Sequence, residues 1–244
     1  MSINSIIQFL VIGQEHTECE PLLADFEHLL ADYKIAYYGI MSQPKPVPDP
    51  LSQVLAGRWP NGWPELYIEK KYILLDPTIR FLPMAMGGYS WNSTLKHFAK
   101  DPNYNKMRRM LEESRRFGMT DGYVFPVYGR HGLKGSLTIG GSVELEFSPL
   151  EIVLFEQVAK IMFLNLLRFA GNMKEEEFAP AEITQRELEI LNYLADGYTS
   201  HEIGRILSIS NHTVDWHMNS IQDKLGARNR QHAVARALRS GLVI

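Results

Sequence analysis

Apolar side chains in the C-terminal part of the chain recur every three or four residues, in stretches whose starts are marked by polar residues. Thr184 and Thr199 are each followed three residues later by a glutamate, the pattern of a capping box at a helix start. Gly197 supplies a left-handed stop for the first of these helices. A short polar turn at 208–210 leads to a third helix that begins near Asn211. Two short helices joined by a tight turn predict a helix-turn-helix.

The third predicted helix separates its side chains by face. One face is an apolar stripe that must pack on the other helices, and its members are Val214, Met218, Ile221 and Leu225. The opposite face carries Asp215, Trp216 and Asn219. In a DNA-binding helix-turn-helix that face enters the major groove, where carboxylate, indole and amide groups contact base edges. We predict that these three residues contact bases; the alternative is a solvated face with Trp216 in a protein contact.

The N-terminal part alternates between helical and strand-like spacing. Helices are predicted over 21–33 and Tyr104–Phe117, and strands over Ile35–Met41, Gly122–Val127, Gly135–Gly140 and Val143–Phe147. A capping box at Ser148 opens a long helix that ends near Phe169. Its second apolar stripe needs a partner, either the same helix of a second subunit or the core of its own domain. The predicted fold class is α+β, with an N-terminal α/β/α sandwich around an antiparallel sheet and a small all-α helix-turn-helix domain.

Length, charge and cysteine content define the organisation of the chain further. Its 244 residues suffice for two domains, and a polar, acidic stretch predicts a linker at 172–181 between domains at 1–171 and 182–244. The net charge of −3 fits nucleic acid poorly, but basic residues outnumber acidic ones from residue 198 onward. The single cysteine, Cys19, excludes an intrachain disulfide and fits a reducing cytoplasm. We expect neither a signal peptide nor a membrane span, because the apolar run Ile6–Ile12 is short and lacks a basic lead-in.

Aromatic residues crowd one part of the N-terminal domain around a carboxylate. They are Trp59, Trp63, Tyr67, Phe81, Tyr89 and Trp91. Aromatics around a few polar groups are typical of a ligand pocket, although a plain hydrophobic core explains them equally well. The carboxylate of Asp76 needs a donor in apolar surroundings, and a ligand amide N–H would supply one. Indole N–H and phenol O–H groups can in turn donate to ligand carbonyls.

Two segments carry a family resemblance. Residues 183–244 resemble the DNA-binding domain of the LuxR family of bacterial transcription factors, with matches at Thr184, Arg186, Glu187, Leu191, Gly197, Glu202, Ile203, Thr213, Val214, His217, Lys224, Leu225, Arg230 and Ala233. The segment WPNGWPELYIEKKYILLDPTIRF, followed by Trp91 and by Gly122 as the matching glycine, is similar to the acyl-homoserine-lactone-binding domain of that family. The DNA-binding set predicted from residues and resemblance together is Thr213, Asp215, Trp216, Asn219, Lys224, Arg228 and Arg230.

The resemblance implies a role for each residue of a signal pocket. The Trp63 N–H would bond the lactone carbonyl, Asp76 would accept the amide N–H, and Trp91 would pack on the lactone ring. Tyr67, with the hydroxyl of Thr78 or Thr138, would serve the acyl carbonyl. Trp59 departs from several relatives, which have a tyrosine there that bonds the acyl carbonyl.

The combined prediction is a cytoplasmic quorum-sensing regulator. It binds an N-acyl-homoserine lactone and, as a homodimer, a palindromic site in double-stranded DNA, with RNA polymerase as a further partner. We expect no cofactor, no metal and no membrane contact. The alternative is a LuxR-type regulator that is ligand-independent or responds to another ligand; a phosphorylated response regulator would need a parallel α/β receiver instead. An enzyme is disfavoured, because the S-x-x-K pattern at Ser93–Lys96 lacks its companion motifs.

Overall fold

The computed structural model describes residues 3–43, 53–129, 132–171, 183–239 and 242–243. The chain divides into two compact units, one of residues 1–127 and 134–173 and the other of residues 128–133 and 174–244. The predicted linker at 172–181 lies outside the described residues. The predicted domain bounds of 1–171 and 182–244 therefore stay a prediction.

The first unit is built on a five-stranded sheet between two sets of helices. The strands are β1 (Tyr37–Ser42), β2 (Val54–Arg58), β3 (Tyr89–Ser90), β4 (Asp121–Gly129) and β5 (Gly132–Gly141). The helices are α1 (Ile3–Ile12), α2 (Cys19–Asp32), α3 (Trp63–Glu69), α4 (Pro77–Phe81), α5 (Tyr104–Arg116) and α6 (Pro149–Phe169). The strand order is β2-β1-β5-β4-β3, and β1 pairs antiparallel with both β2 and β5.

Alternation along the strands gives the two faces of the sheet different surroundings. On β5, Leu137 belongs to the main hydrophobic core, whereas Ser136 and Thr138 line a cavity on the opposite face. The register of β1 places Met41 opposite Ser136 and Gly39 opposite Thr138. The sheet therefore separates a packed core from a cavity.

Helices α1, α2 and α6 pack on the core face. The largest fully buried aromatic side chains are Phe26, Tyr33, Phe125, Phe155 and Phe163. Helix α6 begins with the predicted capping box, in which Ser148 and Glu151 exchange hydrogen bonds with each other's backbone N–H. The Glu151 carboxylate also accepts a hydrogen bond from the Tyr33 hydroxyl at 3.1 Å, which ties α6 to the end of α2.

The second apolar stripe of α6 is covered largely within its own unit. Its members Leu154, Ile161 and Leu167 are partly buried against the main core. Ile161 lies close to Gly13, directly after α1. Leu150 and Val153, at the N-terminal end of α6, remain exposed. Of the two partners considered for this stripe, the one seen in the structure is the core of the same domain, on which the stripe packs.

The predicted strand at Val143–Phe147 is wrong. Leu145 and Phe147 are buried and Glu146 between them is exposed, as in a strand, but Val143, which would share their face, is exposed. The Leu145 N–H donates to the Asp121 carboxylate at 2.9 Å. A side-chain acceptor therefore takes the place of a neighbouring strand. The sheet includes instead the short strands β2 and β3, which the sequence pattern did not indicate.

The second unit is a small helical domain. Its helices are α7 (Gln185–Ala195), α8 (Ser200–Leu207), α9 (Asn211–Lys224) and α10 (Arg230–Arg239). The capping boxes predicted at Thr184 and Thr199 are both present. Gly197 after α7 has φ 90°, and Ser208 in the turn between α8 and α9 has φ 54°. The predicted stripe of α9 is buried in the core of this unit. The α+β fold class is confirmed.

Candidate functional site

A cavity of about 150 Å³ lies between the second face of the sheet and helices α3, α4 and α5. The seven residues predicted for the signal site line it: Trp59, Trp63, Tyr67, Asp76, Thr78, Trp91 and Thr138. Phe81 and Tyr89, the other two aromatics of the predicted cluster, are not in the lining and pack on each other, with ring centroids 5.0 Å apart. The rest of its lining is mainly apolar, and includes Met41, Val54, Ile73, Met110 and Met119. A concave space lined by aromatic and apolar side chains with a few polar groups is the usual form of a small-molecule site.

Two tryptophan rings of this cavity rest directly on glycine backbone in the sheet. A Cβ atom at Gly57 would lie 2.1 Å from the ring of Trp59. A Cβ atom at Gly140 would lie 2.2 Å from the ring of Trp91, and one at Gly122 would lie 2.5 Å from that ring. Such distances are far below van der Waals contact, so glycine at these positions is what allows the rings to approach the sheet.

Gly140→Ala is expected to lower the free energy of unfolding of the first unit by about 2 kcal/mol. The new Cβ would lie 2.7 Å from the Asp121 carbonyl oxygen as well as against Trp91, so backbone and ring must both shift. Gly141→Ala is the matched control, because its Cβ would have no neighbour nearer than 3.4 Å. Urea unfolding followed by tryptophan fluorescence measures both variants. Equal losses for the two would contradict the close contact with Trp91.

The Asp76 carboxylate is buried, with 8% of the residue exposed, and already has donors within the protein. Its Oδ1 accepts hydrogen bonds from the Thr78 N–H at 2.8 Å and the Thr78 hydroxyl at 2.7 Å. Its Oδ2 accepts one from the Tyr67 hydroxyl at 2.9 Å. Burial raises the pKa of Asp76 above its ordinary value, while the hydrogen bonds from Thr78 and Tyr67 oppose that rise. The donor that the sequence seemed to require from a ligand is thus supplied by α4 and α3, although a carboxylate with about four acceptor positions can still accept another.

The Thr78 and Thr138 hydroxyls of the cavity are hydrogen-bonded, whereas two of its indole N–H groups have no partner among the described residues. The Trp91 N–H donates to the Thr138 hydroxyl at 3.1 Å, and that hydroxyl lies 3.5 Å from the Tyr123 carbonyl oxygen as its acceptor. Within the described parts of the chain, no hydrogen bond is made by the indole N–H of Trp59 or Trp63. Trp63 is only 6% exposed and packs against the rings of Tyr67, Tyr72 and Phe117. Its N–H therefore has no protein acceptor among these residues, although the residue as a whole is buried.

Sequence reasoning missed several residues of the cavity. These include Tyr37, Met41, Val54, Met110, Ser114, Met119 and Ser136. The period of two along β5 carries a signal for one of them, because Ser136 shares a face with the predicted Thr138. The methionines come from separate elements and carry no comparable local signal.

The outer face of α9 presents an exposed aromatic ring, as predicted. Trp216 is 65% exposed, and its ring meets that of His217 edge-on at 5.0 Å. Asn219 on the same face and Arg228 after the helix are also exposed. Tryptophan is enriched at interaction surfaces relative to the rest of a protein surface, so an exposed Trp216 fits a contact role.

Two of the predicted DNA contacts pair with each other. Asp215 Oδ1 accepts hydrogen bonds from the Ser200 hydroxyl at 2.7 Å and from Arg230 Nη2 at 2.8 Å. The hydrogen bond from Ser200 and the nearby Arg230 guanidinium lower the pKa of Asp215. This cluster joins the starts of α8 and α10 to α9, and so fixes the direction of α9. Thr213 is held locally, with its hydroxyl 2.8 Å from that of Ser210.

A third predicted DNA contact, Lys224, pairs with a buried glutamate. Its Nζ lies 3.0 Å and 2.8 Å from the two carboxylate oxygens of Glu187, a residue only 3% exposed. Burial alone would raise the pKa of Glu187, but hydrogen bonds from Lys224, Ser220 and Thr184 outweigh it and hold the pKa at about 2. Of the predicted set, Trp216, Asn219 and Arg228 remain exposed and outside these two ion pairs.

Comparison with known proteins assigns the two units to one family. Residues 20–165 match the family model of the autoinducer binding domain, and residues 181–237 match that of the bacterial regulatory proteins of the luxR family. The chain belongs to the LuxR family of quorum-sensing transcription regulators. The family confirms the resemblance of both segments and makes the chain a regulator, not an enzyme.

Relatives of this LuxR-family regulator align with most of its length. The quorum sensing-dependent transcriptional regulator RpaR of Rhodopseudomonas palustris is 29% identical over 232 residues, covering 94% of this chain and 91% of RpaR. The transcriptional activator BjaR1 of Bradyrhizobium diazoefficiens is 29% identical over 190 residues, covering 78% and 76%. The crystal structure of Escherichia coli SdiA superposes with a TM-score of 0.59 at 24% identity, covering 98% of each chain. A complex of SdiA with octanoyl-rac-glycerol has a TM-score of 0.56 at 24% identity, covering 97% and 94%.

In the parts of the regulator that the structure describes, no helix is long and apolar enough to cross a membrane. The same residues contain no group of three or more His, Cys, Asp or Glu side chains placed to hold a metal ion.

Proposed function

We propose that this regulator binds an N-acyl-homoserine lactone in the cavity of its first unit and, as a homodimer, a palindromic promoter site through its second unit. The observation that carries the proposal is the free Trp63 indole N–H in the same aromatic cavity as the Asp76 carboxylate. A lactone carbonyl is an acceptor for the first group, and the amide N–H is a donor for the second. The protein would act in the cytoplasm, where DNA and RNA polymerase are its further partners, and would need no cofactor.

The apolar lining supports an acylated signal. Met41, Val54, Ile73 and Met110 offer surface for a hydrocarbon chain but no polar group to hold it. A ligand that fills this space and binds only the folded chain adds to its stability by mass action. Binding of the lactone would therefore stabilise the folded first unit.

The sharpest alternative is an acylated ligand without the lactone and amide. Octanoyl-rac-glycerol, the molecule in the SdiA complex, has an eight-carbon acyl chain and a carbonyl but no amide N–H. Calorimetric titration with octanoyl-homoserine lactone and with octanoylglycerol compares the two classes at equal chain length. We expect tighter binding of the lactone, because its amide N–H and its ring carbonyl can pair with Asp76 and Trp63 together, whereas the glycerol ester offers Asp76 only a hydroxyl. Tighter binding of the glycerol ester would favour a regulator that responds to a ligand other than a lactone.

The DNA part of the proposal is tested by selection from a random duplex pool. Two copies of a helix-turn-helix related by a two-fold axis read two half-sites in inverted orientation. With lactone present, the full-length protein should enrich an inverted repeat, and without lactone it should enrich that repeat weakly or not at all. Equal enrichment in both conditions would support the ligand-independent alternative, and a single half-site would contradict binding as a dimer.

Trp216→Ala is expected to weaken binding to the selected DNA site about tenfold, since a base contact of this kind contributes about 1–3 kcal/mol. The side chain is 65% exposed and its only aromatic contact among the described residues is with His217, so the fold should be unaffected. Leu238→Ala is the control, because Leu238 is also exposed and apolar but lies on α10. Fluorescence anisotropy with labelled duplex measures both variants. If the affinity of Trp216→Ala for DNA is unchanged, Trp216 does not contact the bases and is an ordinary surface residue.

A further inference from the structure

The floor of the cavity contains two parallel rows of residues that cross β2, β1 and β5. The first row is Gly57, Gly39 and Thr138, and the second is Val54, Met41 and Ser136. The first row lies beneath the ring of Trp59, whose atoms approach both glycines. The second row, except for its serine, is apolar. The Ser136 hydroxyl is thus the one polar side-chain group in a row that is otherwise apolar.

The Ser136 hydroxyl has no hydrogen-bond partner among the described residues. Ser136 is only 4% exposed as a residue and lines the cavity, so its hydroxyl lies beside the cavity space with no protein group to pair with among the described residues. The other buried hydroxyls of the cavity differ in this respect. Thr78 donates to Asp76, and Ser114 donates to the Leu111 carbonyl at 2.9 Å. A hydroxyl that faces a cavity without a protein partner loses its hydrogen bonds to water when a hydrocarbon chain fills that cavity, and this loss is unfavourable.

We propose that Ser136 recognises an oxygen substituent on the acyl chain of the ligand. The cavity then prefers a 3-oxoacyl or 3-hydroxyacyl lactone to the unsubstituted lactone of equal chain length. This inference rests on the proposed function, because it takes the ligand to be an acylated lactone. It adds a specificity-determining residue that neither the pocket pattern nor the aromatic cluster indicates.

The position of Ser136 along β5 agrees with a substituent on the chain. Thr138 accepts the Trp91 N–H, and Ser136 lies two residues from it, about 6.8 Å along the strand. With the amide held at Asp76 and Trp63, the hydrocarbon chain is left to cover the apolar row that contains Met41 and Val54. An oxygen on that chain gives the Ser136 hydroxyl the partner that the protein does not provide. An unsubstituted chain leaves the hydroxyl buried and unpaired, which lowers affinity.

The test compares 3-oxooctanoyl, 3-hydroxyoctanoyl and octanoyl-homoserine lactone by calorimetric titration of the full-length protein. Wild type should bind at least one of the oxygenated lactones about tenfold more tightly than the octanoyl lactone. Ser136→Ala should reduce that ratio to about one. Val54→Ala, in the same row of the floor, is the control and should weaken all three lactones while keeping the ratio.

Every other outcome of these titrations contradicts a stated part of the proposal. A wild-type ratio near one, or a ratio unchanged in Ser136→Ala, overturns the role of Ser136 and leaves the proposed lactone function standing. Failure of folded wild type to bind any of the three overturns both. Thermal unfolding without ligand provides a second readout: Ser136→Ala should melt no lower than wild type, because the hydroxyl has no partner to lose. A lower melting temperature would show a structural role and contradict the proposal.

Discussion

Asp76→Ala is expected to weaken binding of an N-acyl-homoserine lactone about a hundredfold, or about 2.7 kcal/mol. The carboxylate is buried beside the apolar lining, so a hydrogen bond from a ligand amide is not in competition with bulk water. Its removal also leaves the Tyr67 hydroxyl without its acceptor inside the cavity. A hydrogen bond to a charged acceptor is worth more than one between neutral groups, which is why this loss should exceed that of any single cavity hydroxyl.

Asp101→Ala provides the matched control for this experiment. Asp101 likewise accepts a backbone N–H two residues onward, from Asn103 at 2.7 Å, and it pairs with Arg80 outside the cavity lining. Both variants lose a carboxylate that stabilises the local backbone, but only Asp76→Ala loses the cavity acceptor. Calorimetric titration should therefore separate them, with the affinity of Asp101→Ala close to that of wild type. Equal lactone affinities for Asp76→Ala and wild type would show that Asp76 does not bind the ligand.

Glu187→Ala is expected to destabilise the second unit by about 3 kcal/mol. The Glu187 carboxylate completes the capping box of α7 at Thr184 and also accepts hydrogen bonds from Lys224 and Ser220 of α9. Its removal thus leaves Thr184 at the start of α7, and Ser220 and Lys224 on α9, without their acceptor. Glu189→Ala is the control, because Glu189 pairs with Arg186 on the surface and should contribute less than about 0.5 kcal/mol. Hydrogen exchange of the α7 and α9 amides, measured on the full-length chain, reports the stability of this unit.

The same carboxylate makes the second unit sensitive to acid. The pKa of Glu187 is about 2 in the folded protein and 4.5 as an ordinary glutamate. Because the folded pKa is the lower of the two, the stabilisation is fully present above pH 4.5 and is lost as the pH falls from there towards 2. Glu187→Gln should remove this part of the pH dependence. An acid profile identical to that of wild type would contradict the depressed pKa.

Local signals account for the parts of the fold that the sequence predicted well. Each capping box at Ser148, Thr184 and Thr199 is completed by a residue three positions away, so a short window contains the whole hydrogen-bond pattern. The segment Val143–Phe147 alternates as a strand does, but the acceptor of its Leu145 N–H is Asp121, which is distant in the sequence. Alternation predicts which side chains are buried and does not predict which group receives the backbone hydrogen bond.

The sequence predicted only part of the site, because contacts between distant segments are not visible in a local pattern. Family resemblance located the cavity residues, since it marks positions whatever their distance along the chain. It did not reveal that Tyr67 and Thr78 already donate to Asp76, nor that Arg230 pairs with Asp215. These pairings depend on where separate helices meet in space. The free Trp63 N–H and the unpaired Ser136 hydroxyl are visible only once those pairings are known.

The central claim is that the cavity beside Trp63 and Asp76 is a lactone site. Thermal unfolding of the purified wild-type protein, measured against acyl-homoserine lactones of different chain length, tests it most directly. A lactone present at about a hundred times its dissociation constant should add about 2.7 kcal/mol and raise the melting temperature by a few degrees. The account predicts a rise that depends on chain length, because the apolar lining must be filled. A folded protein whose melting temperature is unchanged by every lactone would contradict it.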